Sequence, residues 1–323
     1  MKARAVRFVA PRQVSVDDIE LPDAEPGQLV VRTSYSGISS GTEMLAYRGE
    51  LDPSTDLDES ISALAGNFGY PFSYGYSCVG VVERGTASVP TGSHVFTFHP
   101  HQDLLAVAEG DVVVLPSDLP FRVATLFPLV ETALQLTLDA GSVFGDTVVV
   151  TGLGPVGLLT ALLLERAGAH VLASEPRPWR REVAASLGLA AVDPSELPAG
   201  RVPLVVESSG VPAVLASALG LLAHEGTVLV ASWYGTKPVP LPLGGDFHRR
   251  RLTIRSSQVS TIPAASQDRW TRERRRSEAA SLLTSLPLAA LATTEFPVDD
   301  AAEAYASIDR GDPGLIHVAL RYE

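Results

Sequence analysis

Three valines in a row, Val148–Val150, run into Thr151-Gly152-Leu153-Gly154-Pro155-Val156-Gly157 and then into the apolar stretch Leu158–Ala167. A β-branched run reads as a strand, the glycines as a tight turn, and the apolar stretch as a helix ended by Gly168. The GxGxxG spacing is weak evidence alone and gains meaning by following a strand and opening a helix. The first glycine permits the reversal, the second lets the backbone approach a pyrophosphate, and the third lets helix and strand pack closely. The helix start adds free N–H groups and a positive dipole end. Gly152, Leu153, Gly154, Pro155, Val156 and Gly157 are therefore the expected dinucleotide cradle.

The pattern repeats downstream. Strands are expected at Val171–Ala173, Val202–Glu207, Thr227–Ala231 and Leu252–Ser256, with helices at Arg180–Leu187 and Ala213–Leu222 between them. Such alternation predicts an α/β domain, a doubly wound parallel sheet of Rossmann type. Glu175 ends the second strand, 23 positions on from Gly152. A carboxylate there accepts hydrogen bonds from ribose hydroxyls and repels a 2′-phosphate, which favours NAD(H). Arg177, Arg180 and Arg181 stand close by and leave NADP(H) open, with Arg180 counted among the cofactor residues.

The first third reads as β-rich, with strands at Gln28–Ser34, Val79–Glu83, His94–Phe98 and Val112–Leu115 separated by turn clusters. Leu51–Gly69 is polar and irregular and reads as a surface excursion. Leu119–Leu138 has helical apolar spacing, Ser266–Leu286 reads as a charged helix, and the tail returns to short strands around a helix at Asp299–Ile308. The tail lacks a further β–α–β repeat and so completes the N-terminal domain. The division is then 1–118 with 287–323, around a dinucleotide-binding domain at 119–286.

With 323 residues, 46% of them hydrophobic, there is material for two cores. The net charge of −12 repels phosphate backbones and argues against a nucleic-acid partner. Cys78 is the one cysteine, so no intrachain disulfide forms, which suits a cytoplasmic protein. MKARAVRFVA has basic residues without the apolar stretch of a leader. The weakly polar run Thr147–Leu164 is long, but its glycines and proline fit strand–turn–helix rather than a membrane span.

Several segments resemble the medium-chain dehydrogenase/reductase superfamily, the alcohol dehydrogenase-like enzymes. Gly37–Glu43 (GISSGTE) resembles its GICGTD segment, and Gly75–Val82 (GYSCVGVV) its GHExxGxV segment. Thr132-Ala133 resembles the pair on the helix entering the cofactor domain, GLGPVGLL the dinucleotide turn, and Phe296–Ala306 (FPVDDAAEAYA) the tail. The resemblance implies a GroES-like β-rich catalytic domain built from both chain ends, with the Rossmann domain inserted. The GISSGTE wording is similar to the bacteriochlorophyllide dehydrogenase branch. Zinc members of the family use cysteine, histidine or glutamate ligands. The matching positions here hold Ser39 or Ser40, Tyr76, and Phe127 or Pro128, and the four-cysteine lobe is absent. Serine and tyrosine are poor zinc ligands, so no zinc is expected.

Without zinc, hydrogen-bond donors must stabilise charge on the substrate and deliver a proton. By the resemblance, Thr42 matches the family's proton-relay hydroxyl and Tyr76 stands where a metal histidine would. Glu131, beside Thr132, adds a carboxylate that burial would turn into a general acid. These three are the catalytic candidates. Ser39, Ser40, His99 and His101 are the substrate-pocket candidates, because an HxH spacing on a strand points both rings to one face. Two imidazoles fall short of a metal site. Each residue has a purely structural alternative: Tyr76 fills the vacated space, Glu131 caps a turn, the serines close a turn, and His99 and His101 sit in a polar loop. Topology and resemblance put Ser209, Ser232 and Trp233 beside the riboses, and Ser257 and Gln258 near the carboxamide.

The expected protein is a zinc-independent NAD(P)-dependent oxidoreductase acting on a small molecule, first a carbonyl or alcohol. Enone, quinone or imine reduction is the alternative within the fold. A non-catalytic dinucleotide-binding protein is the alternative outside it. A homodimer is expected, with no membrane partner.

Overall fold

The opening decapeptide alternates basic with apolar residues, and the alternation builds a strand. In the computed structural model, which describes residues 1–322, β1 (Lys2–Ala10) turns through Pro11-Arg12 into β2 (Gln13–Glu20), its antiparallel partner. Val6 and Phe8 point inward and are fully buried. There follow β3 (Gln28–Ile38), α1 (Thr42–Arg48), β4 (Cys78–Arg84), β5 (His94–Thr97), β6 (Leu104–Ala108) and β7 (Val112–Val114), then α2 (Phe121–Ala124) and α3 (Phe127–Ala140). The Rossmann elements are β8 (Thr147–Thr151), α4 (Pro155–Arg166), β9 (His170–Ser174), α5 (Pro178–Ser186), β10 (Ala191–Val192), β11 (Val202–Glu207), α6 (Pro212–Ala218), β12 (Leu222–Val230) and β13 (Thr253–Ser256). The chain closes with α7 (Arg272–Ser285), β14 (Thr294–Pro297), α8 (Ala301–Arg310) and β15 (Val318–Arg321).

Two units result, Met1–Pro128 with Ala280 onward, and Leu129–Ala279. The first division falls after Pro128 rather than after residue 118, because the intervening residues pack on the first unit's own strands. Phe127 stacks on Phe96 with centroids 4.4 Å apart, and Phe121 meets His94 at 4.6 Å.

The first unit is built on a sheet of order β14-β15-β3-β4-β5-β7, with β6 also paired to β3. β3 runs four residues past its expected end because β15 pairs with Tyr35–Ile38, a partner some 280 positions away. Leu29, Val31, Cys78, Val82, Val95 and Leu105 fill one core. A second core gathers Phe8, Phe72, Tyr47 and Tyr305. The segment after α1 is irregular, as its polarity predicts, yet it is no loose excursion. Leu51, Leu57, Leu64 and Phe68 are buried in that second core. Each such side chain is worth about 1.5–3 kcal/mol, enough to pin a segment without a ladder.

The second unit is a parallel sheet of order β10-β9-β8-β11-β12-β13. The order reverses at β8, which places the glycine turn at the switch point. The apolar run from Thr147 is divided between β8 and α4, and no helix among the described residues is long and apolar enough to cross a membrane.

His317, just before β15, is 2% exposed. The Thr125 hydroxyl donates to the Arg122 carbonyl, so it accepts from His317 Nε2 at 2.8 Å. Nδ1 is buried without a protein partner. Burial pushes the imidazole pKa down to about 4. With the folded value below the unfolded one, the unfolded chain binds the proton first as pH falls. The penalty is absent above about pH 6.5, grows as pH drops, and saturates below about pH 4. Urea unfolding of wild type and His317→Gln should show the stability gap moving in the variant's favour by on the order of 2–3 kcal/mol between pH 7 and 4. A gap that stays constant over this range would contradict the assignment.

Candidate functional site

The dinucleotide turn follows from close contacts around its glycines. Gly152 has φ +87°, and a Cβ there would lie 2.6 Å from the Ser209 Cα. A Cβ on Gly157 would lie 1.9 Å from the Gly152 carbonyl oxygen. Both positions exclude any side chain. Gly154 differs: its backbone is extended, and a Cβ would meet nothing within 4 Å. It is also the N-cap of α4, where no side chain caps the helix and Pro155 opens the first turn. The space beside Gly154 and the uncapped N–H groups fit a pyrophosphate. Leu153 is fully buried and Val156 half-buried on either side.

Glu175 is 4% exposed. Its carboxylate accepts from the Leu153 N–H at 3.0 Å and the Arg177 N–H at 3.1 Å, and Arg180 Nη1 lies 3.8 Å away. Arg181 turns inward and donates to the Glu175 carbonyl at 2.6 Å. Glu207, at the end of β11, is fully buried and was not singled out from the sequence. It accepts from the Ser209 N–H at 2.8 Å and from the Ser209 and Tyr234 hydroxyls. This holds the Ser208–Ser209 bend, whose Ser208 hydroxyl donates to the Gly152 carbonyl at 3.0 Å. Ser232 accepts from the Gly210 N–H at 2.8 Å, and Trp233 is exposed. Ser257 donates to Asp139 at 2.6 Å, while the exposed Gln258 accepts from the Ser260 N–H.

Glu131 is corrected. It is 3% exposed, but its Oε1 accepts from Arg275 Nε at 3.1 Å and Nη2 at 3.0 Å. Burial raises its pKa while Arg275 and Arg276 pull it down. Burial is the larger effect, and the ion pair with Arg275 accounts for the carboxylate structurally.

In the first unit, Ser39, Ser40 and Thr42 lie in the turn that starts α1. Burial first, and the charge of Glu43 second, raise the pKa of the Tyr76 phenol above the ordinary value, so the phenol keeps its proton at neutral pH. The Ser39 and Thr42 side chains neighbour the phenol and pull its pKa down. Tyr76 is half-buried against the second core, and Ser40 is half-buried.

The two histidines diverge. His99–His101 is loop rather than strand, since β5 ends at Thr97 and Pro100 has no N–H for a ladder. His99 is half-buried, its Nδ1 3.0 Å from the Pro100 carbonyl, and burial lowers its pKa. His101 is fully buried, so it is not a pocket wall. Its Nε2 lies 2.8 Å from Glu43 Oε2 and its Nδ1 2.7 Å from Ser36 Oγ, which in turn lies 2.9 Å from the Tyr322 hydroxyl. Glu43 is the centre of this network. Its other oxygen accepts from the Ser39 N–H at 2.8 Å, and Tyr305 donates to Oε2 at 2.6 Å. The GISSGTE segment contains Glu43 beside the hydroxyls of Ser39, Ser40 and Thr42. A lone carboxylate among Met44, Leu45, Ala46 and Tyr47 was the available signal.

The zinc positions hold no zinc donor set. The Ser39 N–H is taken by Glu43, Tyr76 packs against the second core, and Phe127 is fully buried against Phe96. No group of three or more His, Cys, Asp or Glu among the described residues could hold a metal.

A family model described as zinc-binding dehydrogenase matches residues 155–273. The chain is 28% identical to 2-desacetyl-2-hydroxyethyl bacteriochlorophyllide A dehydrogenase of Cereibacter sphaeroides over 99% of this chain and 98% of the relative. It is 26% identical to (R,R)-butanediol dehydrogenase of Bacillus subtilis over 80% and 84%. Among solved structures it is similar to an alcohol dehydrogenase of Escherichia coli complexed with NADH, with TM-score 0.78 and 17% identity over 99% of each chain.

The contacts separate two kinds of glycine substitution. Gly157→Ala should cost at least about 2 kcal/mol by overpacking against the Gly152 carbonyl. Gly154→Ala should cost no more than about 1 kcal/mol, the N-cap difference, while weakening NADH binding about tenfold or more. Thermal melts and NADH fluorescence titration distinguish them. NADH binding by Gly154→Ala at wild-type strength would remove the pyrophosphate from this cradle.

Proposed function

We propose that this chain, a member of the medium-chain dehydrogenase/reductase superfamily of alcohol dehydrogenase-like oxidoreductases, is a zinc-independent dehydrogenase acting on a small carbonyl or alcohol with NAD(H). The observation that carries the proposal is that Ser39 and Tyr76 stand where zinc members keep metal ligands, with the Ser39 turn held by Glu43. When bound, the nicotinamide supplies or accepts the hydride. This chain's own groups handle the oxygen and its proton. Tyr76, protonated because burial raises its pKa, donates a hydrogen bond to the carbonyl oxygen and hands over its proton as negative charge develops. The Ser39 and Thr42 hydroxyls orient the phenol and relay a proton from solvent to replace the one it gives up. Glu43, with both oxygens bonded, holds the Ser39 end of the turn in place.

The serine, tyrosine and phenylalanine at the ligand positions support zinc independence, as serine and tyrosine are poor zinc ligands and phenylalanine offers no donor. Glu175 supports NAD(H) over NADP(H), because a buried carboxylate at the end of β9 repels a 2′-phosphate.

The test uses butane-2,3-diol and its ketone as probe substrates. Tyr76→Phe should lower kcat about 10²–10⁴-fold, while NADH affinity stays within about twofold. Because the phenol pKa lies above the usual 10, reduction by wild type should show no loss from tyrosine ionisation up to about pH 10. Elemental analysis should find zinc well below one per chain. Stoichiometric zinc, or full activity in Tyr76→Phe, would overturn the proposal.

A further inference from the structure

Glu131, Gln135 and Asp139 stand four residues apart on α3, so they form a polar stripe along one face. Arg275 of α7 is 2% exposed and meets that stripe with its whole guanidinium. Its Nε and Nη2 bind Glu131, and its Nη1 donates to Gln135 Oε1. Nη2 also donates to the Val259 carbonyl at 2.6 Å. Gln135 passes the chain on, its Nε2 donating to Asp139 Oδ2 at 3.1 Å. Asp139 Oδ2 accepts from Ser257 at 2.6 Å, and its carbonyl accepts from Arg255. The segment after β13 is thus gripped at both ends, Ser257 by Asp139 and Val259 by Arg275.

The place of that segment gives the grip its meaning. Ligands of open parallel sheets lie at the carboxyl ends of the strands. The pyrophosphate turn follows β8, and Glu175 after β9 marks the adenosine-ribose side. The other half of the sheet, β11, β12 and β13, faces the nicotinamide half, and residues 257–259 leave the carboxyl end of its outermost strand. A buried ion pair is a poor source of stability, since desolvating both charges offsets their attraction. What a planar guanidinium supplies is direction, here fixing α3, α7 and one loop carbonyl at set angles.

We infer that Arg275 and Asp139 are positioning residues that brace segment 257–259 for the nicotinamide half of the dinucleotide. The inference rests on the NAD(H) reading above. The braced segment presents a fixed backbone and the Gln258 side chain, so loosening it penalises the nicotinamide end and leaves the adenosine end alone.

Calorimetric titration with NADH and with ADP-ribose, which lacks the nicotinamide, tests this in wild type, Asp139→Ala, Asp139→Asn and the pair Glu131→Gln with Arg275→Gln. The paired change leaves no unpaired buried charge, and Asp139→Ala leaves the ion pair intact should the paired variant fail to fold. Asp139→Ala and the paired variant should bind NADH about five- to tenfold more weakly, with ADP-ribose affinity within about twofold of wild type. Asp139→Asn keeps an oxygen for Ser257 and should restore the wild-type ratio. Equal weakening toward both ligands, or no weakening in Asp139→Ala, would overturn the brace. Wild type that binds neither ligand would overturn the dinucleotide reading and the brace with it.

Discussion

A carboxylate removed from water must be met by donors, and this requirement fixes most of the polar geometry in both units. Four glutamates are buried among the described residues, Glu43, Glu131, Glu175 and Glu207, and no aspartate joins them. Leaving one unpaired would cost several kcal/mol. Each therefore draws donors from its surroundings. Glu43 ties the Ser39 turn to His101 and to Tyr305, 262 residues away. Glu175 ties the glycine turn to the start of the α5 segment, and Glu207 fixes the bend that presses on Gly152. Glu131 holds Arg275. Apolar packing makes the layers, while these four charges set the angles at which backbone is presented.

Whatever depends on neighbours in sequence was legible, and whatever depends on distant partners was not. The strand–turn–helix at Val148–Gly168 is local, and its elements lie where periodicity put them. β3 was cut short because its last residues depend on β15. The β1–β2 hairpin is hard to read in sequence because β2 is mostly polar and half-buried, so it lacks a clear apolar face. The segment after α1 looked like a surface loop because its apolar residues are widely spaced, and only the fold brings Leu51, Leu57, Leu64 and Phe68 to one core.

The three corrected site residues, Glu131, His99 and His101, share one cause: the chemistry of a residue type means little without its spacing. Glu131 looked catalytic as a lone acid on an apolar helix. Gln135 and Asp139 continue it at four-residue steps, and such a stripe on a buried helix must meet partners of its own. His99 and His101 looked paired by an alternation that Pro100 interrupts. Glu43 escaped notice for the opposite reason, since hydroxyls drew the eye within the same seven residues. For Glu131 and Glu43 the sequence held a corrective signal in a polar residue on an otherwise apolar helix face, and for the histidines it held one in Pro100.

The proposed exchange of metal for hydroxyls has a consequence for proton flow. Zinc lowers the pKa of a bound hydroxyl and so stabilises an alkoxide in either direction. A buried phenol acts differently. Its pKa is raised, by burial and by the fixed charge of Glu43, so its proton is always present and its conjugate base is costly. Giving that proton to a developing alkoxide is favourable, because the alkoxide is the stronger base, but taking one from a neutral alcohol requires a tyrosinate beside a carboxylate. Reduction leaves that same tyrosinate behind, so the cost falls on both directions unless Thr42 and Ser39 relay a proton to or from the phenol. A hydroxyl site of this kind therefore depends on its proton relay, and the same Glu43 that holds the turn in shape also raises the cost of a phenolate left without one.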